Sequence, residues 1–172
     1  MVKKENVIAG MLLECGAIET GDFTLASGAK SSFYIDIKSA TTRPEILREI
    51  GKEIAEKHTF DVVAGVELGA VPIAVAVSLA SDRPFAIIRK EEKAHGKKGA
   101  IIGDVKEKHV LLVEDVTTSA GSAIYGVRML RESGAEVDKV AVVVDRESGG
   151  SEALNKIGIC LDPLVTVSDI ID

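Results

Sequence analysis

Four short runs constrain the fold most: DVVAGVE (61–67), PFAIIR (84–89), HVLLVEDV (109–116) and KVAVVVD (139–145). Each is nearly continuous in aliphatic residues and lacks the every-other-residue polarity of a strand with one wet face. Such strands must be covered on both sides. Between and after them lie AVPIAVAVSLA (70–80), SAGSAIYGVRMLRESG (119–134) and SEALNKIG (151–158), which read as helices. Alternation of buried strands with helices predicts an α/β fold, a mostly parallel twisted sheet flanked by helices. TRPEILREIGKEIAEKH (42–58) is an amphipathic helix with Ile46, Leu47, Ile50 and Ile54 on one face and Glu45, Arg48, Lys52, Glu53 and Glu56 in water. Thr42, with Glu45 three residues on, predicts a capping box at its start.

The first 40 or so residues do not alternate in this way. Lys3 to Ala17 reads as a helix stopped by Gly16, and DFTLASGAKSSFYIDIK (22–38) as a hairpin with a loose turn at Ser27-Gly28. With no repeat, low-complexity linker or second boundary, residues 1–172 form one domain, with about 1–40 as a cap. Because aromatics are only 3% of the chain and Trp is absent, the core must be aliphatic, and base stacking on a nucleic-acid strand is poorly supported. A net charge of −6 argues against a broad surface for nucleic acid or an anionic membrane. No signal-peptide pattern opens the chain, and no apolar run approaches the ~20 residues of a membrane span. Cys15 and Cys160 lack metal-ligand spacing and read as free thiols of a cytoplasmic protein.

In parallel α/β sheets ligands bind at the carboxyl ends of the strands. There the third run continues as VLLVEDVTTSAGSA (110–123). A strand, a Thr/Ser/Gly loop and a helix start make an anion site, because the first helical N–H groups point outward and the macrodipole adds positive character. Thr118, Ser119 and Ser122 add hydroxyls, while Ala120 and Gly121 let a ligand approach the backbone. An ordinary connection with a Ser/Thr helix cap is the other reading. No lysine follows the glycine as in a Walker A loop, and there is no GxGxxG. Glu114 and Asp115 would repel a phosphate, so they must face something else: sugar hydroxyls, or a divalent cation carried by the ligand. A ligand with a phosphate at one end and vicinal hydroxyls nearby is a ribose 5-phosphate.

The string of four apolar residues, two acids, one apolar residue and a Thr/Ser/Gly loop resembles the 5-phosphoribosyl 1-diphosphate (PRPP) signature of type I phosphoribosyltransferases. The resemblance implies that Glu114, Asp115, Val116, Thr117, Thr118, Ser119, Ala120, Gly121 and Ser122 bind PRPP. A second stretch, Arg89 to Lys98, holds five Lys/Arg against two Glu, plus His95, a local charge of +3. Taken alone it reads first as a solvated hairpin tip with a charge run. Its RK-x-x-K-x-HG pattern resembles the catalytic loop of orotate phosphoribosyltransferases, which implies that Arg89, Lys90, Lys93 and His95 meet the diphosphate, with Lys93 the main catalytic cation. It also implies a homodimer in which loop 89–103 reaches the neighbouring subunit's site.

GVELGAVPIA (65–74) resembles the family's diphosphate loop, with Leu68 and Gly69 as PRPP contacts, although some members carry Lys where Gly69 stands. FTLASGAKSSFYIDIK (23–38) resembles its N-terminal hood, placing Tyr34 and Ile35 near orotate; some members carry Lys at Ala26. For Phe33 and Tyr34, ordinary core aromatics are the alternative. VVVDRESGG (142–150) places Arg146 at the same sheet edge, and the resemblance puts it, with Thr118, on orotate, a surface ion pair being the alternative. The resemblance runs from about Phe23 to Gly149 and implies transfer of the phosphoribosyl group from PRPP to orotate. It implies Mg²⁺ carried on PRPP rather than held by fixed protein ligands. Uracil or purine salvage on the same fold, and a PRPP-sensing regulator, are the alternatives.

Overall fold

The computed structural model describes residues 6–24, 30–90 and 100–170. Near the start, α1 (Val7–Glu14) is capped by the Asn6 side chain, which accepts from the Ala9 N–H. Gly16, at φ 74°, turns the chain out of it, one residue after its C-cap. Strands β1 (Ile18–Thr24) and β2 (Lys30–Ile35) form a two-stranded antiparallel sheet, with an irregularity between Thr20 and Phe23. The cap hairpin therefore starts earlier than the sequence indicated. The expected turn at Ser27-Gly28, and Ala26, lie outside the described residues.

A short α2 (Ile37–Ala40) leads to α3 (Pro44–Lys57). The expected Thr42 capping box is absent: Arg43 is the N-cap of α3 without a side-chain bond, and the Thr42 hydroxyl donates to the Ser39 carbonyl at 2.7 Å. Pro44 at the first turn starts the helix without needing a capped N–H, which leaves Thr42 to close the preceding turn.

The main sheet contains β3 (Val62–Val66), β4 (Phe85–Ile88), β5 (Ile101–Ile102), β6 (Val110–Thr117), β7 (Lys139–Asp145) and β8 (Cys160–Thr166). Their order is β5-β4-β3-β6-β7-β8, parallel except for β5, which pairs antiparallel with β4 at the edge. The stretch after Arg89, read from sequence as a charged loop, thus returns as a short edge strand. Helices α4 (Ala70–Ser81), α5 (Gly121–Glu132) and α6 (Gly150–Asn155) follow β3, β6 and β7.

Alternation along each strand divides the core in two. Val63, Leu111, Val113, Ala141 and Val143 pack under α1, α3 and α4. Val62, Ala64, Leu112 and Val140 pack under α5 and α6. Helices α3 and α4 touch backbone to backbone, since a Cβ at Gly51 would lie 2.7 Å from the Ala76 carbonyl carbon.

Chain direction through the sheet places the site. From β3 the chain moves to β4 on one side, and β6 then returns to the other side of β3. The crevice between the carboxyl ends of β3 and β6 is the topological switch point where ligands of such sheets bind.

Candidate active site

The carboxyl ends of β3, β4, β6 and β7 and the tail of the cap meet at this edge. β6 runs to Thr117, so Glu114 and Asp115 lie inside its last turns of pleat rather than beyond it, and both are buried. Successive Cβ atoms leave a strand toward opposite faces, yet the carboxyl groups of the two acids interact directly with each other at this strand end. Asp115 meets Lys38 of α2, its Oδ2 2.9 Å from Nζ, and its Oδ1 accepts from the Val116 N–H at 2.9 Å. Glu114 turns toward α5, where the Ser122 hydroxyl favours its charged form. Burial, reinforced by the neighbouring Asp115 charge, outweighs that help and pushes the Glu114 carboxyl from 4.5 up to about 7. Glu114 Oε2 and Thr117 Oγ1 are buried without a hydrogen-bond partner among the described residues. Buried polar atoms are normally satisfied, so both atoms hold unmet hydrogen-bonding capacity at this end of β6.

This carboxyl sets a pH dependence. Its folded pKa lies above its unfolded one, so its contribution is fully favourable below about 4.5 and is lost as pH rises through about 7. In the ligand-free protein, Glu114→Gln is therefore close to neutral at pH 4 and stabilising by about 3 kcal/mol at pH 8. Urea denaturation of both proteins across that range checks the difference; a difference that does not change with pH contradicts it.

The helix start after β6 is open. Ala120 is the N-cap of α5, in the left-handed region at φ 63°, and makes no side-chain cap bond. The Ser/Thr cap considered from sequence is not what this loop builds. Thr118 and Ser119 are exposed instead, beside the free first-turn amides of α5. Those amides and two hydroxyls form the cradle.

Leu68 and Gly69 follow β3 on the other side of the crevice, with a cis peptide between Glu67 and Leu68. Leu68 is exposed. A Cβ at Gly69 would collide with the Asp115 carboxylate and lie 3.1 Å from Lys38 Cε. A side chain at Gly69 would thus make the Asp115–Lys38 pair shift, although the φ of −62° suits any residue.

The ends of the basic stretch are anchored at the same edge. The Arg89 N–H donates to the Ala100 carbonyl at 2.7 Å, the Tyr125 hydroxyl to the Arg89 carbonyl at 2.7 Å, and the Lys90 N–H to Glu67 Oε1 at 2.7 Å. Lys93 and His95 lie outside the described residues.

Arg146 follows β7 and donates its N–H to the Thr117 carbonyl at 2.9 Å, which brings it beside the cradle. Its guanidinium lies over the Phe33 ring, 4.7 Å from the centroid. Phe33 therefore holds an arginine rather than filling a core, and among the described residues no ion pair of Arg146 is found. Tyr34 is exposed on the next position of β2, with Phe23 5.8 Å away between ring centroids, and Ile35 is half-buried. Lys38, Glu67 and Tyr125 were not singled out from sequence. Lys38 carries no sequence signal of its own, lying in the short α2 after the hairpin; Tyr125 and Glu67 read as ordinary helix and strand-end residues.

Among the described residues no group of three or more His, Cys, Asp and Glu is placed to hold a metal ion. Two carboxylates supply part of a coordination shell, which fits a cation whose remaining ligands are phosphate and sugar oxygens. A cleft of about 480 Å³ opens at the opposite, amino edge of the sheet, bordered by Lys52, His58, Asp61, Arg83 and His109. It is remote from these loops.

The phosphoribosyl transferase domain profile matches residues 37–166. The orotate phosphoribosyltransferase of Methanoculleus marisnigri is 66% identical over 167 residues, covering 97% of this chain and 98% of that protein. Among solved structures, the Mycobacterium tuberculosis orotate phosphoribosyltransferase in complex with Fe(III) dicitrate superposes with a TM-score of 0.82 at 32% identity, over 96% of this chain and 99% of that one. The same enzyme in complex with 5-phospho-α-D-ribosyl 1-diphosphate gives 0.79 at 30% identity, over 96% and 97%. On the strength of the match to the domain and to these relatives across nearly its whole length, the chain belongs to the orotate phosphoribosyltransferases of the phosphoribosyltransferase family.

Proposed function

We propose that the chain transfers the 5-phosphoribosyl group from PRPP to orotate, giving orotidine 5′-monophosphate and diphosphate. One observation carries the reading: an uncapped helix start and two buried acids share one crevice, with an arginine on an aromatic ring beside them. In this reading Val116, Thr117, Thr118, Ser119, Ala120, Gly121 and Ser122 form the 5-phosphate side. Glu114 and Asp115 receive the ribose hydroxyls, and Leu68 and Gly69 border the diphosphate.

The bond that breaks joins ribose C1 to a diphosphate oxygen. The bond that forms joins C1 to orotate N1, whose proton leaves with the diphosphate. Charge builds on the leaving group, so cations there lower the barrier, and positioning supplies much of the rest. Arg89, Lys90, Lys93 and His95 are assigned that role. The anchoring of Arg89 to Ala100 and of Lys90 to Glu67 supports it by fixing both ends of the basic stretch at the crevice. The reading includes a homodimer that shares loop 89–103, and a cytoplasmic setting. Cys15 and Cys160 are free thiols, as a reducing compartment would leave them. Mg²⁺ belongs to the reading as an ion bound with PRPP near Glu114 and Asp115, where it would offset diphosphate charge.

Orotate carries a carboxylate, which uracil and hypoxanthine lack. Arg146 is its partner, with Tyr34, Ile35 and Thr118 around the ring. Arg146→Ala raises the KM for orotate about 10–100-fold, the scale of one charge-assisted hydrogen-bonded contact, and leaves the KM for PRPP within about twofold. A spectrophotometric assay with PRPP, Mg²⁺ and each of the three bases tests the reading. It predicts consumption of orotate alone. Turnover of uracil or hypoxanthine in preference to orotate contradicts it.

A further inference from the structure

The cap contributes one charged group to the crevice that the activity does not account for. Lys38 stands on α2, in a different part of the chain from the acid pair, yet its ammonium meets Asp115 Oδ2 at 2.9 Å. The partners differ in exposure: the Asp115 side chain is 10% exposed and that of Lys38 64%. A buried carboxylate is thus met from the solvent side by a cation with N–H donors to spare. The space at Gly69 is shared with the pair, since a Cβ there would collide with the Asp115 carboxylate and crowd Lys38 Cε. Asp115, Asp36 and Glu114 all act on Lys38 to hold its ammonium above the usual lysine range.

Electrostatics gives the pair a purpose. Two carboxylates beside a phosphate cradle repel an anionic ligand, and in a partly buried crevice the repulsion is stronger than in water. An ammonium bound to one of them cancels most of that field at short range. It also fixes the carboxylate, leaving its other lone pairs for sugar hydroxyls. We propose that Lys38 is a positioning residue for PRPP: it orients Asp115 and shields the ligand's phosphates from the acid pair. The inference rests on the phosphoribosyl transfer reading and adds to it the cap residue that lets acids and phosphates share one site.

The test compares wild type, Lys38→Met and Lys38→Arg. PRPP binding is measured by calorimetry without orotate, together with kcat and the KM of both substrates. Lys38 is exposed, so Lys38→Met is expected to fold, with a melting temperature near wild type; Lys38→Arg keeps the charge. The expected result for Lys38→Met is PRPP binding weakened about tenfold, kcat and the orotate KM within about twofold, and a penalty that shrinks as salt is raised. Lys38→Arg restores binding to within about threefold of wild type. Unchanged or tighter PRPP binding by Lys38→Met overturns the proposal while leaving the transferase reading intact. So does equal weakening of both substrates without rescue by arginine, which marks a purely structural role. A wild type that binds no PRPP overturns the transferase reading and this inference with it.

Discussion

Lys93→Ala lowers turnover about 10²–10³-fold, while ribose 5-phosphate binds within about twofold of wild type. The size is that of removing one preorganised donor from a group on which transition-state charge develops. In a chain of net −6, the ten residues from Arg89 to Lys98 carry +3. Diphosphate gains negative charge as its bond to C1 breaks, so a cation there acts mainly in the transition state, and its loss falls on kcat. Ribose 5-phosphate has no diphosphate and needs no such cation. Steady-state kinetics with calorimetry on the same preparations checks both halves. Turnover within twofold of wild type removes Lys93 from its role.

The double substitution Glu114→Gln and Asp115→Asn lowers kcat/KM for PRPP about 10³-fold. In the proposed reading each carboxylate accepts from a sugar hydroxyl, and a hydrogen bond to a charged group contributes about 1.5–3 kcal/mol. Two such losses give 10²–10⁴. The sign reverses for inorganic phosphate, which has no hydroxyls for the acids to accept and feels only their repulsion. It should bind the double variant at least as tightly as wild type. Opposite shifts for the two ligands are the signature of acids that recognise sugar beside a cradle that recognises phosphate. Parallel losses for both ligands, measured by calorimetry, indicate instead that the substitutions have damaged the crevice.

The sheet was legible because covered strands need unbroken aliphatic runs, and β3, β4, β6 and β7 all have them. The short edge strand β5, Ile101–Ile102, pairs only with β4 and left no periodic pattern. β8 is largely half-exposed and carries Asp162 and Pro163, so its composition hid it. The cradle was legible in type, since small and hydroxyl residues after a strand imply a helix start open to anions. Sequence could not decide between a capped and an uncapped start, because a serine or threonine side chain serves as cap or as ligand donor. Ala120 in the left-handed region settles the matter by leaving the α5 amides without a side-chain acceptor.

The acid pair was recognisable, but its partners were not. Strand alternation sends Glu114 toward Ser122 and Asp115 toward Lys38, and the second contact joins residues that only the packing of the cap brings together. The same holds for Arg146 on Phe33. Local patterns carry information about elements and loop chemistry. Contacts between distant segments depend on how the cap is docked, which no local periodicity encodes.

The central claim is that the acids at the end of β6 recognise the sugar while the α5 cradle recognises its phosphate. Calorimetric binding of ribose 5-phosphate and 2-deoxyribose 5-phosphate, to wild type and to the double variant, tests it most directly. The account predicts that wild type prefers the ribose compound about tenfold or more, as expected for one hydrogen bond to a charged group. It also predicts that the preference falls to within about twofold in the variant. Equal affinity of wild type for the two sugars, or a preference that survives removal of both carboxylates, would contradict it.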